Sequence, residues 1–526
     1  MAVNFTEWLE DPQAIRCVLV EAAISVGGVA VTRYLSSKNY SDSVAGRVYD
    51  PIVSSDSINL VERMSVDGQP SMSFGDVELI NLDGSIDGWL RDIWVNKNIT
   101  ILIGDVRWLR EDFVTIFNGT VEDIDSRSAG TLNIKVRDKL QRLNTPISEA
   151  RLGGVSANKN ELIPLCFGEC FNVTPLLSNP ATLEYRVHTG SIGASAIEGV
   201  IEVRDNGVPV SFAYVESLVK TRFTLSAQPF GQVTCSVQGV NDASAWINTP
   251  SKIIKKIVKE YGGVNKFVDA DIDLTQLSTF DTANPQPVGV YVESRENTLT
   301  VCNQLASSVG AQLVMSRLGK LQLLKIELPP SGTPFAIGET DIIANSINVT
   351  NKFPVQAAFK VNYVKNWTVQ TGLLTGIPAE HKKMYASEYA SVTAEDVTVK
   401  ADYALDTEPV AVDTLLLKES DAIAEATRLL SIFRNPIVVV SFTGHARLAE
   451  LTLGQAVTIT YPRFGFDAGV TGQVVGLSID YSNLTVNADV LMALTPNAAP
   501  LLSRIMREDG SFLLREDGTY ILREDA

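Results

Sequence analysis

The chain has 526 residues, 45% apolar and 20% charged, the composition of an ordinary globular protein with room for three or four domains rather than a disordered one. Its 61 acidic side chains outnumber 44 basic ones to give a net charge of −17, and no Lys or Arg run interrupts that balance, so stable nucleic-acid binding is not expected. Five cysteines make no disulfide framework, no window reaches about 18 uncharged apolar residues, and the start MAVNFTEWLEDPQAIR has no basic-then-apolar leader; the expectation is a chain made in a reducing cytoplasm, without a membrane span.

In chain order, a short helix is expected just after Asn4, and alternating apolar and polar residues then dominate to about residue 148. Ile201–Arg204 and Val208–Val210 flank Asp205-Asn206-Gly207, a hairpin signature. Thr249 as cap, Pro250 at the first helical position and Gly262 beyond the end bracket an apolar stripe of Ile253, Ile254, Ile257, Val258 and Tyr261. A second helix is predicted from Asn297 to Val309, stopped by Gly310, then a hairpin of Ala311–Met315 and Lys320–Leu324 turning at Leu318-Gly319. A third helix is predicted from Asp421 to Phe433 with Ser420 as cap, and Val486, Ala488, Val490 and Met492 alternate on one side of a late strand.

The fold class expected is mainly β with a few helices, a β-rich α+β protein of several domains. The divisions are 1–148, a first β domain; 149–245, a β-rich insertion; 246–335, a helix-and-hairpin segment; 336–495, a second large β domain; and 496–526, a linker and repeat tail. That tail repeats with period eight, MREDGSFL, LREDGTYI, LREDA, and each full copy carries an Asp-Gly turn signal. Phe512, Leu514, Tyr520 and Leu522 are spaced to line strand faces, which makes them candidate assembly-interface residues.

Three passages resemble the central hub proteins of phage tail tips and baseplates. The first runs from Val48-Tyr49-Asp50-Pro51 through Ser71–Gly75, Ile80-Asn81-Leu82-Asp83-Gly84, Asp87, Trp94 and Ile101–Asp105 to Ile116–Val121. The second is Ile163–Glu169 followed by Asn172-Val173-Thr174-Pro175, and the third is Leu429–Pro436 followed by Leu451-Thr452-Leu453-Gly454 and Val457. The repeat tail is also similar to terminal repeats of phage tail proteins. The resemblance implies two tube-like β-barrel domains per chain, so that a homotrimer mimics six subunits and joins a sixfold tail tube to threefold tip or fibre components. It implies a place at the virion tail tip after synthesis in the host cytoplasm, and as partners distal tail or tube proteins and tail fibre or tip proteins. DNA would pass through the lumen without being held, since acidic walls repel phosphates.

Residues that could carry chemistry are sparse. His188, His381 and His445 belong to no His-Glu-x-x-His pattern, and neither a Gly-x-Ser-x-Gly elbow nor a P-loop is present. Cys166 and Cys170, four apart, are candidate ligands for an iron–sulfur cluster, which some tail hubs hold. Such sites need four ligands, and Cys17, Cys235 and Cys302 stand alone, so the pair reads as small core residues. Asp269-x-Asp271-x-Asp273 begins like a calcium loop but has Leu274 and Phe280 where Gly and Glu are needed, and reads as a solvated acidic loop. No cofactor, metal or catalytic residue is therefore assigned. The expected function is a structural, non-enzymatic hub; the alternatives are a receptor- or glycan-binding tail adhesin and, behind it, a cell-wall hydrolase.

Overall fold

The computed structural model describes residues 5–494 except 55–57, 66–73, 155–156, 191–195, 265, 374–375, 407 and 482, together with 503–504 and 522–523. The protein is mainly β, with helices set between β regions. Its largest element is a 13-stranded sheet drawn from both ends of the chain. The N-terminal part runs, in spatial order, Val29–Ser36, Arg16–Val26, Asn98–Asp105, Val114–Ser128, Thr131–Arg137, Phe74–Ile80 and Asn59–Arg63. The C-terminal part continues with Val470–Asp480, Thr485–Ala493, Ile437–Gly444 and Asn348–Phe353.

The two parts meet at Asn59–Arg63 against Val470–Asp480, in antiparallel register from Gly476↔Arg63 to Asp480↔Asn59. The first half of the same edge, from Val470 to Gln473, is taken by Ala456–Ile459. One apolar cluster underlies both parts. It joins Val20, Ile101, Ile134 and Val136 to Val440, Leu477, Ala488 and Val490, all at most 2% exposed. Burying each such side chain contributes about 2 kcal/mol, which ties the two parts together far more firmly than five backbone pairs would.

Between them lies a module with its own core of Cys166, Cys170, Val203, Phe223, Cys235 and Val237. One of its sheets orders Val208–Val210, Ile197–Asp205, Val233–Asp242, Leu165–Val173 and Gly289–Val292, so the last strand comes from the following segment. The hairpin at Asp205-Asn206-Gly207 forms as its sequence predicts: Asn206 and Gly207 both have positive φ, 49° and 85°, and Asp205 pairs with Val208.

The helix over Pro250–Glu260 buries Ile253, Ile254, Ile257 and Val258, as the stripe predicts. Thr249 occupies the cap position, but its hydroxyl donates to Asp281 instead of accepting from the helix. The second predicted helix spans Thr298–Ser307, with Asn297 accepting from the N–H groups of Leu299 and Thr300. The third spans Glu419–Phe433 and starts two residues earlier than a Ser420 cap would place it, from Lys418 without a side-chain cap. It packs on a three-stranded sheet of Ala390–Glu395, Ala358–Tyr363 and Val410–Asp413.

A helix over Leu274–Ala283 is absent from the sequence reading, as are Ala379–Ala386 and Val397–Asp402. The first follows directly from the acidic triplet. Asp273 caps it by accepting from Gln276 N–H, and Asp271, expected in solvent, is only 6% exposed. It lies between Lys139 Nζ at 2.7 Å and Arg142 NH1 at 3.0 Å. Burial works against its charge, but these partners hold its carboxyl below the ordinary carboxylate range.

Candidate functional site: an assembly surface

Side chains alternate across a strand, so a sheet with one apolar face must present its other residues on the opposite face. Here part of that opposite face carries a polar ladder running through both parts of the large sheet, while apolar clusters cover the rest, with Ile437, Val439, Val475 and Leu491 in the C-terminal part and Cys17, Leu19 and Leu102 in the N-terminal part. One row of cross-strand partners passes from Thr443 to Asn487, Ser478, Val61, Phe74, Arg137, Thr120 and Asn98. The next row passes from Thr485 to Asp480, Asn59, Asp76, Lys135 and Asp123. Neighbours bond along it: Thr443 Oγ1 donates to Asn487 Oδ1 at 2.6 Å, Lys135 pairs with Asp125 at 2.6 Å, and Arg127 with Asp76 at 2.7 Å. The ladder was half-legible in sequence, since Val486, Ala488 and Val490 mark one face and the intervening Thr485, Asn487 and Asp489 mark the other.

The sheet path ends in two strands with open edges. Val29–Ser36 pairs on one side with Arg16–Val26. On its other side Tyr34 and Ser36 bond to Asp50 and Val53, while Val29–Arg33 makes no outward backbone bond among the described residues. Val29 is 65% exposed and Val31 36%. At the far end Asn348–Phe353 pairs, among the described residues, only with Ile437–Gly444, and Val349 is 41% exposed. Every neighbouring pair along this eleven-strand path is antiparallel, so the two edge strands run in the same direction. Open edges with exposed β-branched residues are templates for another strand.

His188 and three of the cysteines are occupied in packing, whereas His381 and His445 are exposed. Cys166 N–H donates to His188 Nδ1 at 2.9 Å, and His188 Nε2 lies 3.2 Å from the Tyr261 hydroxyl. An accepting Nδ1 places the proton on Nε2. Burial, with Lys256 nearby, pushes the His188 pKa down to about 3, so the ring is a neutral structural bridge. Cys166, Cys170 and Cys235 are all 0% exposed in the core of the central module, and burial raises the thiol pKa of Cys170 and Cys235. Two cysteines four apart and one across the sheet do not supply the four ligands of a cluster, and among the described residues no three His, Cys, Asp or Glu converge as metal ligands would. A cleft of about 760 Å³ includes Glu62, Leu274, Arg317 and Leu453 in its lining. In that lining Glu62 accepts from Arg317 N–H at 2.9 Å and the Arg317 guanidinium donates to Leu451 O at 2.8 Å, so both charged groups hold the hairpin turn to the sheet.

Of the tail residues singled out from sequence, Phe512, Leu514 and Tyr520 lie outside the described residues. Leu522 belongs to the two-residue strand Leu522–Arg523, which pairs antiparallel with Ser503–Arg504 of the same chain. No described helix is long and apolar enough to cross a membrane.

No family model matches the chain, and no curated protein matches it. Solved structures do. The 43 kDa tail protein of prophage MuSo2 from Shewanella oneidensis is 10% identical, covers 90% of this chain and 98% of its own, and superposes with a TM-score of 0.41. Prophage tail protein gp18 from Listeria monocytogenes EGD-e is 9% identical over 91% of this chain and 95% of its own, with a TM-score of 0.37. A chain of the virion of a native gene transfer agent particle is 12% identical over 68% of this chain and 93% of its own, with a TM-score of 0.40. Each likeness is below a TM-score of 0.5, so the function has to be carried by the chain's own residues.

Proposed function

We propose that the protein is a structural virion component, the hub of a phage tail tip or baseplate, and that three copies close into a ring around the DNA exit channel. The observation that carries this reading is the single sheet with one core shared by both parts, a polar ladder along part of its other face and two edge strands open among the described residues. A heterologous contact between the Asn348–Phe353 edge of one copy and the Val29–Ser36 edge of the next repeats head to tail, and such contacts form rings when the rotation closes. Because the sheet merges two β parts per chain, three chains present six such parts, which suits a junction between a sixfold tube and threefold tip or fibre proteins. The polar ladder, placed inside, gives a wetted wall, and the net charge of −17 per chain disfavours adhesion of DNA. The work is done by interfaces, without a cofactor or reaction centre, and the REDG repeats from Met506 onward offer strands to a tip or fibre partner.

Immunogold electron microscopy of a producing lysate, with antibody to the purified chain, tests the reading. Gold at the tail end distal to the capsid is the expected result. Protein free in the lysate with particles unlabelled would overturn it and bring the hydrolase alternative forward, to be checked by clearing of a peptidoglycan suspension.

A further inference from the structure

One cleft runs against the charge of the whole chain. It has a volume of about 410 Å³ and sits at one end of the polar ladder, where Asn98 and Arg137 finish their row. Its lining contains Lys97, Arg137 and Arg142 together with the amides of Asn96, Asn98, Gln141 and Asn144, and it contains no carboxylate. Three of its nine lining residues are cationic, against 44 of 526 in the whole chain, and that is a departure from composition. The Lys97 ammonium meets no carboxylate among the described residues. Arg137 is held toward the cleft by NH2 donating to Asn96 Oδ1 at 2.8 Å, its nearest acid being Glu122 at 3.7 Å. Its Nε is buried and meets no acceptor among the described residues. Arg142 is half spent on Asp271 and adds field from behind, with its guanidinium 5.5 Å from the centre of the Phe267 ring.

We infer that this cleft is an oxyanion notch that takes one backbone phosphate of nucleic acid. Two or three cations flanked by neutral amide donors match a phosphodiester, whose oxygens accept several hydrogen bonds around a single charge. A run of carboxylates would suit a longer basic stripe, and the surrounding acidic chain confines contact to a point. The choice of DNA as the source of the phosphate rests on the ring reading, which puts the ladder face along the exit channel. There the notch makes a single weak, salt-sensitive contact at the channel mouth, compatible with a wall that otherwise repels DNA.

The test is fluorescence anisotropy of a short labelled DNA duplex against the purified full chain, across a salt series. Lys97→Glu is the variant, and Lys382→Glu, on the Ala379–Ala386 helix and outside the cleft lining, is the control. Wild type and control should bind weakly with the same salt slope. Lys97→Glu should lose about tenfold in affinity and about one unit of the log–log salt slope, the signature of one lost phosphate contact. Equal binding and slope in wild type and Lys97→Glu would overturn the inference. So would stronger binding of poly-glutamate or of a glycerol-phosphate polymer than of DNA, since either would identify a different anion. This readout needs only the single chain, so its failure leaves the ring intact, whereas failure of the ring would show as unlabelled particles with duplex binding preserved.

Discussion

His188 shows how one buried residue sets a pH response. Its ring accepts from Cys166 N–H and is neutral in the folded chain, with a pKa pushed to about 3 from an ordinary 6.5. The folded value is depressed, so the unfolded chain takes up the proton first, and stability rises with pH across this window. The contribution is complete above about pH 6.5 and is lost progressively as pH falls toward 3. Between pH 7 and pH 5 the loss should be about 2 kcal/mol. His188→Asn, which keeps an acceptor but cannot ionise, should lessen that loss by a similar amount. Urea titrations at the two pH values, read by labelling of the Cys166 and Cys170 thiols, would check it; an unchanged difference would mean the acid sensitivity lies elsewhere. Sequence offered no hint of this role, because the Cys166 partner is 22 residues away and the Tyr261 partner 73. Asp271 was misjudged for the same reason: an acidic triplet looks solvated until Lys139, 132 residues earlier, is brought against it.

At the scale of elements, legibility followed periodicity. The Pro250–Glu260 helix declares itself through four buried apolar residues on one stripe, whereas Leu274–Ala283 buries only Leu277 and Phe280 and has no stripe to read. The passage Cys166-Phe167-Gly168-Glu169 could be singled out by resemblance, but not explained. Its glycine pairs directly with Gly289 on the neighbouring strand. A Cβ on Gly168, whose φ is +67°, would lie 1.9 Å from Val288 O, and one on Gly289 would lie 1.7 Å from Glu169 O. The two backbones approach so closely that only hydrogen fits on either strand, and this contact fixes Gly289–Val292 to the central module. Gly289→Ala should therefore cost about 3 kcal/mol or more, as overpacking against backbone that cannot yield. Gly372→Ala, where an added Cβ meets nothing within 4 Å, should be near neutral. Thermal unfolding of both variants would decide, and equal midpoints would show that the strand crossing relaxes freely.

The whole molecule hides its main feature from sequence inspection. Alternation identifies strands such as Thr485–Ala493, but nothing local says that Asn59–Arg63 will pair with Gly476–Asp480 across more than four hundred residues. Expecting two β domains therefore left open how they join, and the joint turns two parts into one sheet with a shared core on one face and two ends. Those ends make the assembly testable. An edge strand is blocked by a charge that a neighbouring strand would have to bury, and lysine is the usual blocker. Val29 and Val31 are exposed on the open stretch and belong to neither apolar cluster of the N-terminal part, so Val29→Lys with Val31→Lys should leave the fold intact. If the edges close the ring, native mass spectrometry should find three chains together in the wild type and a single chain in the double variant, with unchanged circular dichroism. Three chains persisting in the variant would move the junction away from this edge. A wild type that stays single at its highest soluble concentration would mean that the ring needs the tail tube as a template, and mixing with purified tube should then restore it in the wild type and not in the variant.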